Sequence, residues 1–182
     1  MCKNLNSKQI KIPKNVTILV DKDINEITLS GNYNTTKLKL NKNINIIYDI
    51  NYITLQTLNN KKENKKYLGL YISLLKKNLK GISQKFKLNL YLNGLGFKVN
   101  KINNSLVFKL GYSHDIIMDI PKGIEVSIVK MVQIIIYGSN WEKLTQYAHS
   151  IKRLKRVEPY KGKGILLKNE EILRKEGKKN KK

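Results

Sequence analysis

The chain has 182 residues, with 36 Lys and Arg against 13 Asp and Glu, a net charge of +23 at pH 7 and a sequence pI near 10.0. That length suits one domain or two small ones, and 41% hydrophobic residues suffice for a core, which argues against disorder throughout. No run approaches the roughly 18 apolar residues of a membrane helix, no apolar stretch follows the N-terminus as a secretory signal requires, and the single cysteine, Cys2, precludes an internal disulfide or a cysteine-based zinc site.

In chain order, 16–20 and 25–30 read as strands joined by the acidic turn Asp21, Lys22, Asp23. Residues 37–40 alternate, and 44–48 and 52–58 are β-rich. A helical pattern spans 64–80, with Tyr67, Tyr71 and Leu74 on one stripe beside Leu68, Ile72, Leu75 and Leu79. Lys76, Lys77 and Lys80 suit a helix C-terminus, and Gly81 suits its stop.

A second unit starts at Gly81. Phe86, Leu88, Leu90 and Leu92 alternate with polar residues, the pattern of a half-buried strand, until Gly94-Leu95-Gly96 interrupts it. Strands are predicted over 97–102 and 105–112 around Asn103-Asn104, then over 116–120, 124–129 and 132–137. A helix follows over 140–155, with Trp141, Leu144, Ala148 and Ile151 as its buried stripe. Pro159 bars its continuation. Beyond lies a Gly- and Lys-rich extension with room for a short helix at 169–176.

The two units look alike. Ile12-Pro13-Lys14-Asn15-Val16 matches Ile120-Pro121-Lys122-Gly123-Ile124, and Ile27-Thr28-Leu29-Ser30-Gly31 matches Ile134-Ile135-Ile136-Tyr137-Gly138, at displacements of 108 and 107. The fold class read from this is α+β. It has two tandem, duplicated small domains, each an antiparallel β-sheet packed on one α-helix, plus a basic C-terminal extension. The boundaries are 1–80, 81–157 and 158–182. Chance similarity between β-rich segments is the competing explanation, and it leaves the division intact.

Catalytic signals are poor. His114 and His149 are the only histidines, HExxH is absent and no third ligand sits at a familiar spacing, so neither a metal nor another cofactor is implied. Ser113-His114-Asp115 carries the letters of a triad, but triad members meet in space and neighbours on a strand point apart. Gly94-Leu95-Gly96 lacks the third glycine of GxGxxG, and Gly162-Lys163-Gly164 lacks the spacer of a P-loop. No catalytic residue is assigned, and neither a small-molecule substrate nor a membrane is expected.

The clustered charge points to a polyanion, with nucleic acid the commonest. Lys152, Arg153, Lys155 and Arg156 are followed by Lys161 and Lys163, and then by the tail residues Lys168, Arg174, Lys175, Lys178, Lys179, Lys181 and Lys182. Arg153 and Arg156 can fork onto phosphate oxygens. Lys161 and Lys163 are point charges for the backbone, Tyr160 offers a stacking face, and Gly162 and Gly164 would let the main chain approach phosphates. A solvated basic linker with an exposed tyrosine is the plainer alternative.

Glu158-Pro159-Tyr160-Lys161-Gly162-Lys163-Gly164-Ile165 resembles the C-terminal motif of the universal large-ribosomal-subunit protein six family, of bacterial or organellar type. Leu88-x-Leu90, Gly94-Leu95-Gly96-Phe97, Leu110-Gly111-Tyr112-Ser113-His114 and Pro121-x-Gly123-Ile124 follow the same family's order, so the resemblance covers roughly 81–167; it is weaker in the first unit. The resemblance implies tandem α+β domains and a structural, non-catalytic role in the large subunit. It also implies docking on large-subunit rRNA near the translation-factor-binding region and the sarcin-ricin loop, beside neighbouring ribosomal proteins. It puts Arg153, Arg156, Tyr160, Lys161, Gly162, Lys163 and Gly164 in RNA-contacting positions, with Lys152 in the same basic cluster and His114 a further candidate. Val157 departs from the family, whose bacterial members usually carry proline there. The rival of another class is an RNA-binding regulator outside the ribosome. Residues with AT-rich codons (Asn, Lys, Ile, Tyr) and no visible presequence favour a mitochondrial gene product, over a plastid or an AT-rich bacterium.

Overall fold

The computed structural model describes residues 7–21, 23–49, 51–58 and 62–177. Cys2, Lys22 within the acidic turn, and the tail lysines from Lys178 onward lie outside the described residues. The chain divides into two compact units, Met1–Lys85 with Ser139–Trp141, and Phe86–Gly138 with Glu142–Lys182.

In the first unit, β1 (Ser7–Lys11), β6 (Tyr52–Thr57) and β5 (Ile44–Tyr48) form one antiparallel sheet in that order. A meander of β2 (Val16–Asp21), β3 (Glu26–Gly31) and β4 (Thr35–Lys39) forms a second. Period-two patterning turns Ile27 and Leu29, Ile44 and Ile46, and Ile53 and Leu55 inward, where all are buried. Helix α1 (Lys62–Ser83) covers them with Leu68, Ile72, Leu75, Leu79 and Ile82. Tyr67 is exposed instead of buried, and the helix continues past Gly81, which is itself buried. Its stop lies at Ser83, three residues before the next strand.

The second unit contains β7 (Phe86–Asn93), β8 (Lys98–Ile102), β9 (Ser105–Lys109), β10 (Ile116–Asp119), β11 (Ile124–Val129), β12 (Gln133–Gly138), α2 (Trp141–Leu154) and β13 (Gly164–Leu167). One sheet is β10-β9-β8 and the other β11-β12-β7-β13. Each unit is therefore α+β, with one helix and its antiparallel strands divided between two sheets. Leu90, Val99, Leu106, Phe108, Ile134, Ile136, Leu144, Ile151 and Ile165 are wholly buried in this unit. In α2 the inward stripe is Leu144, Tyr147, Ala148 and Ile151; Trp141, at the first turn, is only half-buried.

The duplication is present, but its register differs from the one read in the sequence. The order β1-β6-β5 recurs as β7-β12-β11, and β2-β3-β4 as β8-β9-β10, with a helix after the sixth strand of each set. Matching backbone hydrogen bonds recur too. Ile12 N–H donates to Asn51 O as Leu92 N–H does to Val132 O, Leu40 to Asn25 as Ile120 to Asn104, and Ile44 to Asn41 as Ile124 to Pro121, all at 2.8–3.2 Å. Comparing 92 with 12, 120 with 40 and 124 with 44 gives a displacement of 80 each time. The two Ile-Pro-Lys segments match because they make the same turn. Val16 N–H donates to Pro13 O and Ile124 N–H to Pro121 O, each at 3.2 Å, before strands that occupy different places in the fold.

The Tyr147 hydroxyl is buried without a hydrogen-bond partner among the described residues. Burial, aided by the Asp119 charge, pushes the phenol up to about 12. An unpaired buried hydroxyl contributes nothing to offset its desolvation. Tyr147→Phe should therefore leave stability unchanged or raise it by about 1 kcal/mol in urea denaturation; a clear loss would show that the hydroxyl has a partner.

Candidate nucleic-acid interface

The basic cluster sits where α2 ends and the chain turns back to the sheet. The last helical turn carries Lys152 and Arg153, which complement the negative end of the helix dipole. The Leu154 carbonyl, left without an intrahelical partner, accepts from the Tyr112 hydroxyl at 3.0 Å. The Lys155 ammonium lies 4.1 Å from the centroid of the same Tyr112 ring. Tyr112 thus ties the 111–114 bend, which carries His114, to the end of α2.

Residues 155–165 then close on themselves. Ile165 N–H donates to Lys155 O at 3.1 Å, Glu158 N–H to Lys163 O at 2.9 Å, and Gly162 N–H to Glu158 O at 2.9 Å. Gly162 and Gly164 have φ of +68° and +144°, values that favour glycine. At Gly164 an added Cβ would stand 2.7 Å from Val157 Cα and 2.9 Å from Arg156 O. Both glycines are buried, so they do not offer open main chain to a phosphate as the sequence suggested. At Gly164 the role is close packing: the strand β13 can leave the loop and join β7 only where the chain lacks a side chain against Arg156 and Val157, whereas Gly162 is required by its positive φ.

The closed loop turns Tyr160, Lys161 and Lys163 outward, and Arg153 and Arg156 are exposed just before it; Tyr160 is 54% exposed. His114 is exposed as well, with Nδ1 3.5 Å from Ser113 Oγ. Lys152 differs from its neighbours. It is half-buried and ion-paired with Glu170, whose other oxygen accepts from Leu167 N–H at 3.3 Å. Burial raises the Glu170 carboxyl, but the Lys152 hydrogen bond, the Leu167 N–H and the charges of Lys152 and His149 outweigh it and hold the group below its ordinary value. His149, Lys152, Arg153, Arg156, Val157 and Glu170 line an open groove of about 400 Å³.

The segment 169–176 forms no helix. Glu170 is held by Lys152, and Lys175 N–H donates to Pro159 O at 3.1 Å, so the chain passes the loop without regular secondary structure. Tyr112 and Glu170 are not among the site residues that the sequence points to. The Gly111-Tyr112 pair preceding His114 was a signal for the first; the second, one acid among lysines, had none. Among the described residues no group of three His, Cys, Asp or Glu could hold a metal ion, and no helix is long and apolar enough to cross a membrane.

A family model described as Ribosomal protein L6 matches residues 93–167, from the end of β7 to the end of β13. The chain is 34% identical over 174 residues to the large ribosomal subunit protein uL6 of Mycoplasma capricolum, covering 96% of each chain. It is 30% identical over 175 residues to that of Rhizobium meliloti, covering 96% of this chain and 98% of the relative. With that of Spiroplasma citri it shares 39% over 126 residues, 69% of this chain and 70% of the relative.

Two expectations follow from the geometry. Gly164→Ala should lower stability by about 1–3 kcal/mol in urea denaturation, because both the positive φ and the Val157 contact resist a methyl group; wild-type stability would count against the packing role. The Lys152–Glu170 pair contributes stability that is present above the ordinary glutamate value of 4.5 and lost as pH falls through the lower native value. Glu170→Gln should remove that part of the acid destabilisation, measured as the melting temperature from pH 6 down to pH 3; a profile parallel to wild type would contradict it.

Proposed function

The chain belongs to the uL6 family of large ribosomal subunit proteins, and we propose from that membership that it is a structural constituent of the large subunit that binds large-subunit rRNA. The observation that carries the RNA-binding part is the array of Arg153, Arg156, Lys161 and Lys163, all exposed around one closed loop. Such an array gains affinity by releasing counterions condensed on phosphates. It positions the protein on the backbone and reads shape more than sequence.

Each residue has a stated part. Arg153 and Arg156 take phosphate oxygens with their planar forks. Lys161 and Lys163 add point charges on either side of Gly162, and Tyr160 stacks on an unpaired base or a ribose edge. Lys152 contributes less directly, since its charge is engaged by Glu170. His114 extends the surface along the 111–114 bend. Docking near the translation-factor-binding region, and contacts with neighbouring ribosomal proteins, belong to the same proposal. So does a non-catalytic role, which fits the lack of any nucleophile–base arrangement read in the sequence. The proposal assigns RNA binding to the domain 81–157 and RNA contacts to the extension 158–182, whose strand β13 pairs with β7. The relatives compared are bacterial, and a mitochondrial location has no support among them.

Replacing Arg153, Arg156, Lys161 and Lys163 together with Ala should weaken rRNA binding and lower the slope of log affinity against log salt by about 3. Lys152→Ala should change that slope least. In a sucrose gradient the wild-type protein should travel with large subunits at near one copy per particle. Sedimentation apart from ribosomes would favour the extra-ribosomal regulator, and an unchanged salt slope would overturn the interface.

A further inference from the structure

Helix α1 carries a second cationic surface that the proposal above does not use. At 3.6 residues per turn, Lys62, Lys65, Lys66, Lys76 and Lys77 fall on one face, beside the stripe of Leu68, Ile72, Leu75 and Leu79, with Lys65 and Lys76 at its border. All five are exposed, and among the described residues none is in an ion pair. The lysines are not evenly spread. Lys65 and Lys66 lie eleven residues from Lys76 and Lys77, about 16 Å along the axis, and between the two pairs the middle of the face shows Gly69 and Ser73, with exposed Leu70 at its edge.

Gly69 has no packing reason to be glycine. An added Cβ would meet nothing within 4 Å, and its φ is not in the left-handed region. Glycine in the middle of an exposed helix costs stability relative to alanine. Nothing packed against Gly69 accounts for a glycine there, and its lack of a side chain leaves the helix backbone open to approach from outside. Two cationic pairs flanking a bare stretch of helix match the wide, shallow minor groove of A-form RNA, which presents phosphates on both rims and 2′-hydroxyls between them.

We propose that this face of α1 is a second RNA-binding surface, laid across the minor groove of an RNA duplex. Lys65 and Lys66 hold one strand's phosphates, Lys76 and Lys77 hold the other's, and the Gly69–Ser73 stretch lies against the riboses. The inference rests on the RNA-binding reading for the class of partner, but it concerns a different unit and different residues.

The test uses the full chain and a short A-form RNA duplex, with affinity read by fluorescence anisotropy across a salt titration. Replacing Lys65, Lys66, Lys76 and Lys77 with Gln should weaken duplex binding at least tenfold at moderate salt and lower the salt slope by about 3. Gly69→Gln should raise the melting temperature, because it improves helix propensity, yet weaken duplex binding several-fold. That opposition separates a binding role from a structural one. Amine-reactive labelling of the wild-type protein should show these lysines shielded by the duplex, a readout that needs no variant. Wild-type affinity in both α1 variants, or lysines equally labelled with and without duplex, would overturn the inference. If the Arg153, Arg156, Lys161 and Lys163 variant alone lost binding, the RNA-binding reading would stand and the α1 surface would fall. Polyglutamate displacing the duplex at equal charge concentration would also overturn it, since the surface would then take any polyanion.

Discussion

The hydrogen bond from Ile165 N–H to Lys155 O is the contact on which the basic surface depends. It joins the end of α2 to the start of β13, so the residues between them form a loop with both ends anchored. One end is held by the buried helix stripe of Leu144, Tyr147, Ala148 and Ile151, the other by pairing of β13 with β7. Without that closure, Arg156, Lys161 and Lys163 would sit on a free strand of chain, and any partner would have to order them at a cost in conformational entropy. With it, that cost falls largely at folding.

Charge and packing are reconciled by dividing the cations between two roles. Lys152 and Lys155 are consumed internally, one against Glu170 and one over the Tyr112 ring. Their neighbours Arg153 and Arg156 stay exposed. Mutual repulsion within the cluster is therefore lowered without removing its outward field. Glu170 does this from the far side of β13, which places a constraint on the path of the chain after the strand. The same segment is then drawn past the loop by the Lys175–Pro159 bond.

How far the fold was legible depended on whether an element carried its own apolar pattern. Residues 37–40 and 86–92 alternate clearly, and they fall almost wholly within the strands Thr35–Lys39 and Phe86–Asn93. Ser7–Lys11 has a single apolar side chain of consequence, Ile10, and is a strand because it pairs with β6, with Ile10 opposite Ile53. Gly164–Leu167 reads as part of a flexible basic tail and is a strand because β7 has a free edge beside it. The repeat was visible but misaligned. Proline turns give strong local likeness wherever they occur, whereas the true equivalence lies in pairing order and is nearly silent in residue identity. At the candidate interface, the identities and exposure of Arg153, Arg156, Tyr160, Lys161 and Lys163 could be anticipated, because charge and a Pro-Gly loop belong outside. The burial of Gly162 and Gly164 could not, because it depends on which other segment lies against them.

Local chemistry alone thus determined the α+β class, the two-unit organisation, the surplus of positive charge and the family motif, since each is written in short-range periodicity, composition or contiguous residues. Tertiary structure decided the 80-residue register of the duplication, the joining of β13 to the sheet and the separation of engaged from exposed cations. These depend on contacts between segments far apart in the chain, such as Tyr112 with Leu154 and Lys152 with Glu170, and no local pattern records which partner a segment will meet.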